Sequence, residues 1–263
     1  MPVAKAMRLL GEERRRKILE YLEKDGRVTV DKLVKSLGVS AVTVRGDLDA
    51  LSRAGSLVRS HGGALRPLNP VNDYPVEVKA TIHHAEKERI GRAAAKLIQP
   101  GQTIILDSGS TAAEVASCIK ALKLAPLTVI TNALNIARGL ADVPNISLIM
   151  IGGILRQVSG SFVGPQAEQM LRELHADHFF LAVDGFDPQI GPSTPDILEA
   201  QLNGLMMQVS KEVTVIADAS KFGRRSLSVI GDISRIHRVI TDRRVQEELA
   251  ASLRERGIEV IVV

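Results

Sequence analysis

Seven short apolar runs constrain this chain more than any other feature. They are Thr103–Leu106, Leu127–Thr131, Ile146–Ile151, Phe179–Val183, Val213–Ala217, Val239–Thr241 and Ile258–Val263. Each has the length and β-branched content of a strand, and helical periodicities separate most of them, over Ala85–Ile98, Ser110–Leu122, Pro165–Leu174, Pro195–Val209 and Arg244–Arg256. Strands that are apolar on both faces must be buried on both faces. Alternating with helices, they predict an α/β domain over residues 80–263 with a mostly parallel sheet covered on each side.

The chain ahead of residue 80 follows other rules. Pro67, Pro70 and Pro75 fall within nine residues, so this stretch cannot continue a helix, and residues 67–79 are expected to form an interdomain linker. Upstream, Glu12 to Lys24 places Ile18, Leu19 and Leu22 on one helical face and ends at Asp25-Gly26. A second helix is expected from Val30 to Leu37, stopped by Gly38, and a third from Ser40, whose hydroxyl caps the free amides of a first turn. On the third helix Val44, Leu48 and Leu51 make a buried stripe. At about 100° per residue the opposite side carries Val42, Thr43, Gly46, Asp49 and Arg53, with Arg45 at its edge. After Gly55, the run Ser56–Arg59 alternates like a strand, and His61-Gly62-Gly63 supplies a turn. Residues 1–66 are therefore expected to be a winged helix-turn-helix that meets DNA.

Charge supports that division. Residues 1–66 hold 14 Lys and Arg against 8 Asp and Glu, a net +6, whereas residues 67–263 hold 20 against 22, a net −2. Cations concentrated at one end supply the counterion release on which non-specific DNA affinity rests. The run Arg14-Arg15-Arg16-Lys17 reads equally as a solvated helix face. No apolar run is long enough to span a bilayer, Met1–Lys5 lacks the apolar core of a signal peptide, and the expected location is the cytoplasm. Cys118, the single cysteine, reads as a buried, inert thiol.

The segment Val39-Ser40-x-x-Thr43-Val44-Arg45-x-Asp47-Leu48, followed by Gly55 and His61-Gly62-Gly63-Ala64, resembles the DNA-binding signature of the DeoR family of bacterial transcription regulators. Gly46 departs from it, standing where the family usually has a second arginine, and a helical glycine costs about 1 kcal/mol relative to alanine. The resemblance extends over residues 80–242. Leu106-Asp107-Ser108-Gly109-Ser110-Thr111, Thr131-Asn132, Gly152-Gly153, Asp184-Gly185, Glu199-Ala200 and Asp218-x-Ser220-Lys221-Phe222 are similar to the family's sensor domain. That domain is itself similar to ribose-5-phosphate isomerase and binds phosphorylated sugars.

Ligands of parallel sheets bind beyond the carboxyl ends of the strands. The loop Asp107-Ser108-Gly109-Ser110-Thr111 leads into a helix there, so its amides, its hydroxyls and the helix dipole suit a phosphate, although the same run also reads as an ordinary cap. The resemblance implies an effector phosphate at Asp107–Thr111, with Asp184, Glu199 and Lys221 near the sugar. Asn203 stands where the commoner family form has a lysine four residues after the glutamate, which is similar to regulators of N-acetylgalactosamine and galactosamine catabolism. His83-His84 and His175-x-x-His178 lack the company a metal site needs and read as surface and boundary residues; no metal or other cofactor is expected.

Two readings follow. In the first, the chain represses a sugar-catabolism operon and is released from operator DNA by a phosphorylated sugar. Thr43 and Arg45 read base edges beside Val42, Ser40 positions the helix, and Arg59 and His61 meet phosphates or the minor groove. A homodimer or tetramer is expected, because one helix-turn-helix reads one half-site. In the second, the chain is a sugar-phosphate isomerase carrying a DNA-binding domain, with Asp184 and Asp187 as acid/base carboxylates and Glu199 as the base. Against it, the segment Gln189–Pro195 lacks the lysine of the isomerase pattern.

Overall fold

The computed structural model describes residues 11–53, 56–60, 62–65, 73–122 and 126–263. The chain divides into two compact units, Met1–Asn69 with Thr81–His84, and Pro70–Ala80 with Ala85–Val263.

The smaller unit contains α1 (Gly11–Asp25), β1 (Arg27–Thr29), α2 (Val30–Leu37), α3 (Ala41–Arg53), β2 (Val58–Ser60) and β3 (Gly63–Leu65). Thr29 caps α2 by accepting from the Lys32 amide, and Gly38 ends it in the left-handed conformation at φ 66°. Ser40 caps α3, its Oγ accepting from the Thr43 amide at 3.2 Å. Val44, Leu48 and Leu51 are buried with Ile18, Leu22, Leu33 and Leu37 in one core. The strands form a small antiparallel sheet in the order β1-β3-β2. Gly63 is required there, because a Cβ on it would come within 2.0 Å of the Val28 carbonyl oxygen. A helix-turn-helix with a wing results. Gly55, His61, Arg66 and residues 67–72 of the expected linker lie outside the described residues.

The larger unit begins with α4 (Val76–Thr81) and α5 (His84–Ala95), of which Thr81 and His84 are counted with the smaller unit. It continues with β4 (Thr103–Leu106), α6 (Ser110–Leu122), β5 (Leu127–Thr131), α7 (Leu134–Leu140), β6 (Ile146–Met150), β7 (Ile154–Arg156), β8 (Ser161–Val163) and α8 (Pro165–Arg172). The remainder is β9 (Ala176–Leu181), β10 (Gly185–Asp187), β11 (Gly191–Thr194), α9 (Ile197–Gln208), β12 (Ser210–Ile216), β13 (Ser228–Val229), β14 (Arg238–Thr241), α10 (Glu247–Glu255) and β15 (Glu259–Val262). Seven strands form one sheet in the order β15-β14-β12-β9-β4-β5-β6, and every pairing in it is parallel. These are the seven apolar runs.

Alternation along the strands makes two cores. Ile105, Phe179, Leu181, Val213 and Val215 pack on one face with Leu171, Leu202, Met206 and Leu253 of α8, α9 and α10. Ile104, Leu106, Val129, Phe180 and Ile216 pack on the other with Ile90, Val115, Ile119 and Ile136 of α5, α6 and α7. The antiparallel pieces β7-β8 and β10-β11-β13 stand apart from this sheet. One expectation needs amendment: from Asp73 to Lys79 the segment read as linker is part of the larger unit, and its helix α4 starts at Val76.

Candidate functional site

The site begins where the sheet changes direction. From β4 the chain steps outward through β5 and β6, then returns to the opposite side of β4 with β9. A crevice opens outside the carboxyl ends of the strands at such a reversal, and the loops that follow β4 and β9 wall it here. Those loops touch so closely that a Cβ on Gly109 would lie 2.1 Å from the Ala182 Cβ. Asp107 ties them together, with Oδ1 accepting from the Gly109 amide at 3.1 Å and Oδ2 from the Ala182 amide at 2.9 Å. Its carboxylate thus braces the crevice wall from a position only 2% exposed.

The crevice brings together Ser108, Gly109, Ser110 and Thr111 at the start of α6 with Asp184, Glu199 and Lys221, all of them picked out in the sequence. The first amides of α6 have no carbonyl one turn back and are free to donate. Lys221 ends a single 3₁₀ turn, Ala219–Lys221, held by the Ala219 amide donating to Asp242 at 2.7 Å. Its ammonium lies 3.6 Å from Asp184.

Cations that sequence reasoning missed complete the site. Lys79 of α4 bridges Asp184 at 2.9 Å and Asp73 at 3.2 Å. Arg156 of β7 pairs with Asp73, with Asp196 at 3.2 Å and with Glu199 at 3.6 Å. Glu199 also accepts from Ser108 Oγ at 2.9 Å and Thr194 Oγ1 at 3.1 Å. Lys87, only 3% exposed, lines the crevice and donates to the Lys79 carbonyl. Its signal was in the sequence: Lys87, Ile90, Gly91 and Ala94 share the buried face of α5, a lysine in an apolar stripe. Lys79 and Asp73 were hidden in a stretch read as linker, and nothing in the spacing around Arg156 announces it.

Burial and charge pull these groups apart. Burial lowers the Lys87 ammonium to about 8, against the attraction of Asp218. Burial lifts Asp107 well above the usual carboxylate range and lifts Glu199 too, although Arg156 opposes the latter. Asp184 goes the other way: burial would raise it, but Lys79 and Lys221 hold it below its ordinary value. Lys79, Lys87 and Lys221 therefore line a crevice in which two of the carboxyl groups resist ionisation, and Arg156 pairs with one of those, Glu199. That balance suits a small anion with several oxygens.

In the smaller unit, Ser40, Val42 and Arg45 are exposed and Thr43 is half-exposed, on the side of α3 away from the core. Val42 is 76% exposed. Gly46 is exposed too, with open space where a side chain would project. Arg59 is engaged within the unit, 3.0 Å from Asp49 and donating to the Gly63 carbonyl at 2.8 Å. His61 lies outside the described residues. Arg14 leaves the expected basic run and pairs with buried Asp47, fastening α1 to α3.

The isomerase constellation does not form. Asp187 accepts from the Gln189 and Ile190 amides in the β10–β11 turn, lies 2.8 Å from Arg225, and is not among the residues lining the crevice. Among the described residues no cluster of His, Cys, Asp or Glu is placed to hold a metal, and no helix is long and apolar enough to cross a membrane. His178 corrects the surface reading: it is buried on β9, bonded to Thr214 Oγ1 at 2.7 Å and stacked on Phe180. Cys118 is half-buried, and burial and Glu114 push its thiol upward.

Residues 14–68 match the DeoR-like helix-turn-helix domain, and residues 82–243 match the DeoR C-terminal sensor domain. A proposed aga operon transcriptional repressor of Escherichia coli O157:H7 is 41% identical over 253 residues, covering 95% of this chain and 93% of that protein. The glycerol-3-phosphate regulon repressor of Escherichia coli K12 is 33% identical over 88% of this chain and 90% of its own length. The HTH-type transcriptional repressor GlcR of Bacillus subtilis is 32% identical over 95% and 96%. Among solved structures, ribose 5-phosphate isomerase A from Neisseria gonorrhoeae superposes with a TM-score of 0.40 at 14% identity over 53% of each chain, which is no evidence of shared chemistry. With both of its units matched in order, the chain belongs to the DeoR family of transcriptional regulators.

Proposed function

We propose that this regulator represses a sugar-catabolism operon and leaves its operator when a phosphorylated sugar fills the crevice at the β4–β9 reversal. The observation that carries the reading is that Lys79, Lys87 and Lys221 line one crevice with Ser108–Thr111 at the start of α6. In this reading the phosphate sits against Ser108–Thr111 with Lys87 and Lys221, and the sugar faces Asp184 and Glu199. Operator bases meet Thr43, Arg45 and Val42, Ser40 positions the helix, Arg59 and His61 meet phosphates or the minor groove, and the chain acts as a homodimer or tetramer. The crevice serves as a sensor and performs no reaction. An amino-sugar phosphate is the effector class favoured by the relative named for the aga operon.

Occupancy must favour one arrangement of the protein, since a ligand shifts an equilibrium only through differential affinity. Lys79 is the group placed to respond. It bridges Asp73 and Asp184 in the crevice and stands two residues from Thr81, which belongs to the smaller unit. A phosphate competing for Lys79 loosens that bridge. Thermal unfolding with galactosamine 6-phosphate, N-acetylgalactosamine 6-phosphate, glucose 6-phosphate and the free sugars tests the reading. At one hundred times its dissociation constant a true effector stabilises the chain by about 2.7 kcal/mol, while the free sugar at equal concentration does little. Equal stabilisation by ester and free sugar would refute a phosphate site.

A further inference from the structure

Helix α9 buries seven of its twelve residues, and two of those inward positions are polar: Glu199 and, one turn later, Asn203. Glu199 is fully engaged by Ser108, Thr194 and Arg156. Asn203 is different. It lines the crevice, is 2% exposed, and its Oδ1 is buried with no hydrogen-bond partner. Asn132 Oδ1 and Thr241 Oγ1 are the other such atoms among the described residues, and neither residue lines the crevice. A buried carbonyl oxygen without a donor is costly, and asparagine is a poor choice for a helix interior, so neither packing nor propensity accounts for this side chain.

We propose that Asn203 is a specificity-determining residue of the crevice, whose amide oxygen accepts a hydrogen bond from a neutral donor on the sugar. That donor is a ring hydroxyl or the N–H of an acylated amine. The inference rests on the sugar-phosphate reading for its ligand class and on the unpaired oxygen for its content. No described group of the protein donates to Oδ1, so on this proposal the donor arrives with the ligand. A site built around such an acceptor rejects an otherwise identical sugar that lacks the donor, because the oxygen then stays unpaired in the complex as well. The phosphate cations supply affinity for any ester. Asn203 selects among them.

The test compares the full-length wild-type chain with Asn203→Leu, close in volume but without a polar atom. Unfolding temperature is measured without ligand, and dissociation constants are measured for glucose 6-phosphate, galactosamine 6-phosphate, N-acetylgalactosamine 6-phosphate and their singly deoxygenated esters. Without ligand, Asn203→Leu is expected to be at least as stable as wild type, since no hydrogen bond is lost. For the ester that binds best, the substitution is expected to weaken binding at least tenfold. One deoxy or de-acylated analogue should weaken it equally in wild type and no further in the variant, and its identity separates a hydroxyl donor from an N–H donor. Lower stability of the ligand-free variant would overturn the proposal by showing a structural partner for the amide, as would unchanged ester binding. If no ester stabilises wild type, the sugar-phosphate reading fails by itself. A destabilised Asn203→Leu would in that case overturn the present inference independently, and a variant at least as stable would uphold its premise of an unpaired acceptor.

Discussion

Asp47→Ala separates a structural from a DNA-contacting role for the most buried charge among the described residues of the helix-turn-helix. Arg14 donates through Nε and Nη2 to the two Asp47 oxygens, the second bond measuring 3.1 Å, and the two side chains are only 13% and 8% exposed. Removing Asp47 takes both of these bonds from Arg14, and breaking a buried pair in this way costs about 3–5 kcal/mol. A small domain has about 5–15 kcal/mol of stability in total, and each kcal/mol moves the midpoint of a 60–100-residue unit by about 4–8 °C. The smaller unit of Asp47→Ala should therefore melt at least about 12 °C lower at the bottom of both ranges. Calorimetry of the full chain reads this directly, provided the larger unit's transition stays in place. The variant should bind operator at low temperature and lose it on warming. Replacing both partners, Arg14→Met with Asp47→Leu, should recover most of the loss, because neither charge then has to be buried. A single-variant cost below about 1 kcal/mol, the range of exposed pairs, would refute the reasoning, as would a double variant weaker than either single.

Further outcomes are expected at both sites. Arg45→Ala should weaken specific operator binding by about 1–3 kcal/mol and random DNA less, read by competition titration; equal losses would make Arg45 a phosphate contact. Gly109→Ala should abolish ester binding in calorimetric titration, because its Cβ falls 2.1 Å from the Ala182 Cβ and forces the crevice loops apart. Ester affinity should fall as pH rises through about 8, where buried Lys87 loses its charge. It should fall again below about 6, where the phosphate monoester takes up a proton. The Lys87→Met variant should lack the alkaline limb.

Most of the scaffold was legible because it obeys periodicity. The seven apolar runs became the seven parallel strands, with β9 and β12 each starting three residues earlier than read, at Ala176 and Ser210. The stripe of Val44, Leu48 and Leu51 became the core of the smaller unit. Antiparallel pieces such as β7-β8 were missed, since strands of three residues carry too few positions to alternate. At the candidate site, the loops after strands were found by rule, whereas Lys79, Arg156 and Asp73 were not. Their roles depend on where separate elements meet, and a composition of three prolines hides an ordered segment as easily as a flexible one. Lys87 was the recoverable miss, a charge within an apolar face. Asn203 drew notice only as a departure from a family pattern; its unpaired oxygen is visible only once burial and partners are known.

The most direct measurement is release of operator-bound, full-length protein by a phosphorylated sugar, followed by fluorescence anisotropy. Wild type titrated with the best-binding ester should come off its operator, while the corresponding free sugar at one hundred times that concentration should leave it bound. Thr111→Glu, with a carboxylate set at the start of α6, should fold, bind operator and fail to respond. Release by ester and free sugar alike, or full release of a folded Thr111→Glu protein, would contradict a phosphate-reading crevice at the end of β4.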